Sequence, residues 1–334
     1  MKKISVLIME QSLPSGIIGV LDIFKMAGAC WDKSTGFGLK KLFDVQIVSV
    51  DGKPLSYSNT FIFKPDKSID EVTESDLIIV PSSGYSPETL CGYSDKLIDW
   101  LRFHHEKGTH IAGGCTGAFV LAEAGILDGR FATTHWGYAD LFRERFPEVL
   151  LTTDKMITED GNVFCSGGGS AGIDLCLHLL ERYCGQTVAN RCAKILLLER
   201  GRETQKPFSI FHKKKTHNDA DIIKAQNWID QYYDNTFQID DLSSHVGMSL
   251  RNFKRRFKSA TGDSPLVYIQ KLRIEVAKKI LESKTSGIEE IANHVGYDDV
   301  GFFRKLFLRY AGVSPSVYRR KFNSRFFQGE YEEA

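Results

Sequence analysis

One sequence pattern occurs twice near the end of the chain, between Leu242 and Tyr318, and it limits the fold more than any other feature. The first copy starts Leu242-Ser-Ser-His-Val-Gly and continues at Phe253, Phe257, Gly262, Ser264-Pro265 and Tyr268. The second copy starts Ile291-Ala-Asn-His-Val-Gly and continues at Phe303, Phe307, Gly312, Ser314-Pro315 and Tyr318, with one extra residue before Phe303. A repeat of this length indicates one structural unit used twice.

The residue types of the first copy predict a helix-turn-helix. Gly247 supplies the left-handed backbone of the turn, and Ser249 is placed to cap the second helix. The spacing of four between Phe253 and Phe257 puts both rings on one buried face. The opposite face is basic, with Arg251, Lys254, Arg255 and Lys258. A helix held by its aromatic side, with cations turned outward, has the geometry of a recognition helix in a major groove.

The basic residues have an alternative interpretation, because a run of charges is usually a solvated face. The presence of two copies favours the functional interpretation. The copies are joined by a helix-compatible segment from Leu266 to Ser283, about 18 residues or roughly 27 Å long as a helix. Such a helix holds two recognition helices near the roughly 34 Å separation of successive major grooves.

These residues resemble the DNA-binding domain of AraC/XylS-type transcription regulators, from Asp221 to Lys321. The second copy, with Gly296-Tyr297 and Tyr318-Arg319, carries that family's signature. The resemblance implies double-stranded promoter DNA as a partner, and RNA polymerase as a candidate second partner. It places the DNA contacts at Arg251, Lys254 and Arg255 in the first copy and at Val300, Gly301, Phe302, Arg304 and Lys305 in the second.

Two of these positions alter the expected mode of contact. Family members commonly carry polar side chains where this chain has Val300 and Gly301. We therefore expect the second recognition helix to contact thymine methyl groups or phosphates more than to hydrogen-bond to base edges.

The chain before residue 199 alternates short apolar runs with helical stretches, which predicts a mostly parallel, doubly wound α/β sheet covered on both faces. The predicted strands are Ser5–Leu7 with Ile8, Phe43–Val50, Leu77–Val80, His110–Ala112, Leu150–Thr152 and Val163–Cys165. The predicted helices are Gly19–Ala27, Ser94–Lys107, Gly117–Ala124, Tyr138–Phe146 and Gly172–Tyr183. Sheets of this kind bind ligands at the carboxyl ends of their strands.

One strand end has the layout of a nucleophile elbow. Ile111-Ala-Gly-Gly-Cys115-Thr-Gly-Ala runs from a strand into a cysteine flanked by glycines and then into a helix. The helix N-terminus behind Cys115 favours a thiolate. His135 is a candidate base for that thiolate, or a structural hydrogen-bonding residue.

Residues Lys3 to about Leu198 resemble the ThiJ/PfpI-like α/β domain, which is flavodoxin-like and similar to class I glutamine amidotransferases. Cys115 and His135 lie where that superfamily has its cysteine and histidine. Catalytic members also carry an acidic residue after the first strand, where this chain has Gly16. Fused in this order, the two domains resemble GlxA-type regulators of the AraC family.

That resemblance implies a first domain that is catalytically inactive and senses a small metabolite, such as an amino acid or a quaternary amine. The expected ligand-binding residues surround the elbow: Gly114, Cys115, Thr116, His135 and Trp136. Trp136 offers a face to a cation or belongs to the core. We predict no metal and no cofactor.

The composition is consistent with two domains that bind different partners. The chain has 334 residues, 42% apolar and 25% charged, enough for two separate cores. Residues 220–322 carry 17 Lys and Arg against 12 Asp and Glu, which suits contact with phosphate. No apolar run is long enough to span a membrane. The seven scattered cysteines predict reduced thiols in a cytoplasmic protein.

The predicted organisation has four segments. A ligand-sensing domain that also forms a homodimer covers 1–198, a linker 199–218, the DNA-binding domain 219–322 and a tail 323–334. Two rival interpretations are a cysteine hydrolase or amidase with an attached nucleic-acid module, and a DNA-binding protein whose first domain only dimerises it. An acidic residue placed to support Cys115 and His135 would favour the enzyme.

Overall fold

The computed structural model describes residues 1–10, 12–32, 36–57 and 61–323. The chain divides into two compact units, Met1–Gln205 and Lys206–Ala334. The division lies inside the segment predicted as a linker, 199–218, and residues on each side of it pack onto their own unit. Apart from Asn323, the predicted tail lies outside the described residues.

The first unit is built on a seven-stranded sheet of order β12-β13-β9-β8-β1-β4-β7. Every pairing in it is parallel except that of β12 with β13, so the predicted mostly parallel sheet is confirmed. The strands of the described residues are β1 Lys2–Leu7, β2 Ala29–Asp32, β3 Gly36–Leu39, β4 Phe43–Ser49, β5 Leu55–Tyr57, β6 Phe61–Phe63, β7 Lys67–Ser68, β8 Leu77–Val80, β9 His110–Gly114, β10 Phe131–Ala132, β11 Leu150–Leu151, β12 Ile157–Asp160 and β13 Val163–Ser166.

Helices cover both faces of this sheet, because each face carries its own apolar cluster. Helices α2, α3 and α4 pack on one face, around Trp100, Phe119 and Phe142, and α1, α5 and α6 pack on the other, around Phe24, Leu175 and Ala189. The helices of the described residues are α1 Pro14–Met26, α2 Asp95–Glu106, α3 Gly117–Glu123, α4 Ala139–Arg145, α5 Ala171–Cys184, α6 Gln186–Ile195, α7 Ala220–Tyr232, α8 Ile239–His245, α9 Leu250–Thr261, α10 Pro265–Ser283, α11 Ile288–His294, α12 Val300–Ala311 and α13 Pro315–Phe322. Each of them is too short or too polar to cross a bilayer.

Several small elements differ from the sequence prediction. The predicted strand Leu150–Thr152 is only the two-residue β11, which pairs with β10 outside the main sheet. The antiparallel edge strand β12, the hairpins β2–β3 and β5–β6, and helix α6 were not predicted. Edge strands and hairpins bury only part of their surface, so their apolar pattern is weaker than that of the central strands.

The second unit is all-helical and contains two helix-turn-helix copies with separate cores. The first core gathers Phe253, Phe257 and Tyr268, and the second gathers Phe303, Phe307 and Tyr318. Helix α10 contributes to both, with Leu272 in the first core and Leu281 in the second. The predicted bridging helix is therefore confirmed as a packing element that the two copies share.

Candidate DNA-binding surface and ligand pocket

Helix α9, the predicted first recognition helix, has a buried aromatic face and an exposed basic face. Phe253 and Phe257 are fully buried, with ring centroids 5.5 Å apart. The exposed side carries all four predicted contact residues: Arg251, Lys254, Arg255 and Lys258. Among the described residues, only Arg256 of this helix forms ion pairs, with Asp219 and Asp221. The four other charges are available for phosphate or bases.

Helix α12, the predicted second recognition helix, presents a more apolar surface. Val300 is half-buried against the core of the second copy. Phe302, in contrast, is 46% exposed, and Arg304 and Lys305 are exposed beside it. The start of this helix therefore offers apolar contact in place of side-chain hydrogen bonds, which suits thymine methyl groups.

The turns of both copies have the backbone that their glycines predict. Gly247 and Gly296 have φ of 66° and 81°, in the left-handed region. The predicted side-chain cap at Ser249 is wrong, because the Ser249 hydroxyl makes no capping hydrogen bond; its backbone carbonyl accepts from Phe253 N at 2.9 Å instead. In the second copy Asp299 does cap α12, accepting from Phe302 N at 3.0 Å.

Arg273, near the middle of α10, joins the two copies. Its guanidinium donates to the carbonyl oxygens of Tyr233 at 2.6 Å, Asn235 at 2.9 Å and Gly296 at 2.9 Å. It also lies over the ring of Tyr297, 4.9 Å from the centroid. Because Tyr233 and Asn235 precede α8 and Gly296 is the turn of the second copy, one side chain connects the two helix-turn-helix copies within the second unit. The sequence pattern did not single out Arg273.

Residues 206–217 pack on the second unit. The Phe211 ring lies 5.1 Å from that of Tyr268. Lys278, almost fully buried in α10, donates to the Ser209 carbonyl oxygen at 2.7 Å, and burial lowers the pKa of this lysine. Lys213 and Lys215 both pair with Asp230, at 2.8 Å and 2.7 Å. The basic run of the predicted linker is thus held by a carboxylate.

In the first unit Cys115 lies on the predicted elbow, between β9 and α3. Its φ is +56°, a strained value for a residue with a side chain. The turn is so tight that a Cβ on Gly117 would lie 2.2 Å from the Val80 carbonyl oxygen. The expectation of a thiolate is not supported. Burial raises the pKa of the Cys115 thiol, although amide hydrogen bonds from Gly169 and Thr116 act in the other direction.

The cavity beside Cys115 is narrow. Its volume is about 30 Å³, which holds water but not an amino acid. Gly16, Gly114, Cys115 and Gly169 are among its lining residues. A Cβ on Gly16 would meet its nearest neighbour, Pro81 Cβ, at 3.7 Å, so the backbone there accepts a β-carbon without a clash. The chain places a glycine, without a carboxylate, next to the thiol.

The other predicted ligand residues lie around this cavity but do not line it. Thr116 is fully buried, and its hydroxyl donates to the Gly84 carbonyl at 3.0 Å and accepts from Ser83 N at 2.9 Å. His135 Nδ1 accepts from Gly137 N at 3.0 Å, and burial lowers the pKa of its ring. No hydrogen bond joins His135 to Cys115 among the described residues.

Trp136 follows His135 in a short 3₁₀ turn, with the two ring centroids 5.0 Å apart. The His135 ring packs so closely on Gly168 that a Cβ there would lie 1.6 Å from His135 Cδ2. This turn and the glycine loop Gly167–Gly169 are therefore in direct contact. Gln205, which the sequence did not single out, lies against Gly167 of the same glycine loop.

A second cavity, of about 520 Å³, lies at the carboxyl ends of β1 and β4. It is lined by side chains that include Glu10, Asp51, Ser83 and Tyr93. Ser83 connects it to the elbow, since the Ser83 hydroxyl donates to the Thr116 carbonyl at 3.0 Å. This cavity is large enough for a metabolite. The described residues contain no group of three His, Cys, Asp or Glu side chains suited to a metal ion.

Comparison with known proteins identifies both units. The DJ-1/PfpI family profile matches residues 2–182, more than half of the chain. The chain belongs to the DJ-1/PfpI family. In this family member the DJ-1/PfpI domain is followed by an AraC-type helix-turn-helix domain, whose helix-turn-helix profile matches residues 242–321. The predicted fold class, a flavodoxin-like domain followed by a helical one, is confirmed.

Similar proteins include regulators and an enzyme. The HTH-type transcriptional regulator CdhR of Pseudomonas aeruginosa is 27% identical over 277 residues, 82% of this chain and 81% of CdhR. The regulator GlxA of Rhizobium meliloti is 28% identical over 229 residues, 67% and 69% of the two chains. Isonitrile hydratase of Pseudomonas putida is 33% identical over 155 residues, 45% of this chain and 65% of the enzyme. The predicted resemblance to GlxA-type regulators is confirmed.

Proposed function

We propose that this DJ-1/PfpI family member is a cytoplasmic transcription regulator that binds promoter DNA through α9 and α12, acts as a homodimer, and responds to a small effector held by a catalytically inactive first domain. The repeated helix-turn-helix carries the DNA-binding part. Each copy buries two phenylalanines of its recognition helix and leaves cations of that helix exposed. The regulator CdhR aligns with 82% of this chain over 81% of its own length.

Selection of bound duplexes from a random pool tests this part. We expect a preferred sequence to emerge, with affinity that falls steeply as salt rises because phosphate contacts release counterions. Binding without any sequence preference would reduce the protein to a nonspecific DNA-binding module. No binding at low salt would contradict the proposal.

Three observations support an inactive first domain. The described residues that line the cavity beside the thiol, Gly16 among them, include no carboxylate. Burial raises the pKa of the Cys115 thiol, and His135 Nδ1 accepts a hydrogen bond from the Gly137 amide. A cysteine needs a base or a partner that lowers its pKa to act as a nucleophile. We therefore expect no hydration or hydrolysis by this domain.

The rival function is a cysteine-dependent hydrolase, amidase or hydratase. The strained elbow at Cys115 and the similarity to isonitrile hydratase favour it. Turnover of an isonitrile, amide or ester by the wild-type protein, lost in Cys115→Ser, would establish this rival. Equal background rates for the two proteins would support the regulator.

We propose that the effector binds at the elbow, where Gly114 and Cys115 line the narrow cavity and Thr116, His135 and Trp136 lie around it. The larger cavity beside Ser83 is the competing location. Cys115→Trp and Val50→Trp fill the two cavities separately. Amino acids and quaternary amines are screened for a shift in Tm and in DNA affinity, and the substitution that abolishes the response marks the site. A response lost in neither variant would place the effector elsewhere.

A further inference from the structure

Gln205 is the last residue of the first unit, and its side chain is 97% buried. Its Nε2 lies within hydrogen-bond distance of four acceptors, in the loops 133–134 and 153–155: Thr133 Oγ1 at 3.1 Å, Thr134 O at 2.9 Å, Thr153 O at 3.1 Å and Lys155 O at 3.0 Å. Its Oε1 accepts from Trp136 N at 3.3 Å. A buried amide with this many partners holds the end of the first unit in one position.

Two short routes connect this side chain with Cys115. In the first, the Thr134 hydroxyl donates to the Cys115 carbonyl oxygen at 2.9 Å, and the Thr134 carbonyl accepts from Gln205. In the second, the Gly169 amide donates to the Cys115 thiol, and two residues earlier Gly167 lies against Gln205. A Cβ on Gly167 would be 2.3 Å from Gln205 Cδ.

Beyond Gln205 the chain is attached to the second unit at once. Pro207 is buried, and the Phe208 ring packs edge-on against Phe322, with centroids 5.7 Å apart. Ser209 accepts from Lys278, and Phe211 N donates to Glu275 Oε2 at 3.2 Å. These last two contacts join the segment to α10, the helix shared by both helix-turn-helix copies.

We propose that Gln205 is the positioning residue that transmits occupancy of the Cys115 cavity to the DNA-binding unit. The cavity holds only about 30 Å³, so an occupant larger than water displaces its lining, which includes Gly169. Movement of the glycine loop or of Thr134 shifts groups that contact the Gln205 side chain. The residues that follow Gln205 in the chain belong to the second unit. The proposal rests on the proposed function in one respect, the effector site at Cys115.

The test places a small group on Cys115 of the full-length chain and follows the segment after Gln205. Cys30→Ser, Cys91→Ser and Cys184→Ser remove the other cysteines that are not fully buried. Methyl methanethiosulfonate, applied at pH 9, transfers its S–CH3 group to the Cys115 thiolate and releases methanesulfinate; dithiothreitol reverses the label. We expect labelling to change hydrogen exchange of peptides covering 206–211 about fivefold or more, the lower end of typical coupling between sites.

Gln205→Met keeps the side-chain length but removes its hydrogen bonds, and we expect labelled and unlabelled forms of this variant to exchange alike. Gln205→Ala serves if the methionine variant does not fold. Thr204→Val is the matched control, because it removes the hydrogen bond from Thr204 Oγ1 to Asp154 O at 2.8 Å and leaves those of Gln205. This control should keep the response to labelling.

A response that persists in the Gln205 variants, or that disappears equally in Thr204→Val, would overturn the role of Gln205. Identical hydrogen exchange at residues 206–211 in the labelled and unlabelled protein with Gln205 intact would overturn it as well. DNA affinity measured on the same preparations separates this proposal from the proposed function. Failure of the unlabelled protein to bind DNA would contradict the proposed regulator. DNA binding by the unlabelled protein, without any effect of the label on residues 206–211, would contradict only the transmission through Gln205.

Discussion

Arg273 Nη1 donates a hydrogen bond of 2.9 Å to the carbonyl oxygen of Gly296. The same guanidinium holds Tyr233 and Asn235, and a Cβ on Gly296 would lie 2.4 Å from the Asp234 carbonyl oxygen. The turn of the second helix-turn-helix therefore lies directly against the loop that precedes the first. We expect this contact to restrict how the two copies move relative to each other.

Replacing Arg273 should destabilise the second unit. Arg273→Met leaves three carbonyl groups without their charged donor, and hydrogen bonds to a charged group contribute about 1.5–3 kcal/mol each at most. We expect the free energy of unfolding to fall by about 2–3 kcal/mol, measured by hydrogen exchange of peptides from 206–323. Lys279→Met removes an exposed charge from the same helix and should cost little. Equal losses in both variants would contradict the bridging role.

The basic face of α9 should determine affinity for DNA. We expect Arg251→Ala with Arg255→Ala to weaken binding, by about 1–3 kcal/mol for each side chain that holds a base. Loss of a phosphate contact would instead flatten the salt dependence for all sequences. Anisotropy titrations at several salt concentrations distinguish the two, with Lys279→Ala as a control. Unchanged affinity in a folded double variant would indicate that these charges form only a solvated face and do not contact DNA.

Phe302 should contact thymine. In the half-site bound by α12, replacing thymine with deoxyuridine removes only a methyl group, so wild-type affinity should fall modestly. Phe302→Ala should bind both duplexes equally, because the apolar partner of the methyl group is gone. Arg304→Ala should keep the difference between the two duplexes and lose part of the salt dependence. A methyl effect that survives in Phe302→Ala would exclude this contact.

The boundary of the second unit should matter for its stability. A fragment of residues 206–323 keeps Ser209 over the buried Lys278 and Phe211 against Tyr268. A fragment of 219–323 loses that hydrogen bond of Lys278 and the packing of Phe211, which should cost about 2–4 kcal/mol. Thermal unfolding compares the two. Both should bind DNA more weakly than the full chain, since the proposed homodimer would add a second set of helices; full-length protein that stays monomeric would remove this difference.

Cys115 should react slowly at neutral pH. Burial raises the pKa of its thiol above the ordinary value of 9.0, and only the thiolate is alkylated. Its rate with iodoacetamide, followed by mass spectrometry, should keep rising above pH 9 and stay below that of the exposed Cys91 at pH 7. Rapid labelling at pH 7 that levels off below pH 8 would show a lowered pKa and reopen the enzymatic interpretation.

The sequence alone was sufficient for features that depend on local periodicity and backbone chemistry. Phe253 and Phe257 share a buried face because a helix repeats every 3.6 residues. Gly247 and Gly296 take left-handed turns that side chains disfavour. The central strands are apolar on both faces, which predicted the parallel sheet. The position of Cys115 on a strained elbow followed from its flanking glycines for the same reason.

Tertiary structure alone decided the interactions between residues distant in the chain. Whether Cys115 is a thiolate depends on burial from elements far away in sequence, and that burial outweighs the amide hydrogen bonds that the elbow supplies. Arg273 and Gln205 looked like ordinary polar residues, because their partners come from loops 23 to 72 residues away. Hydrogen bonds and desolvation act over a few ångströms of space, and only the folded chain brings those groups together.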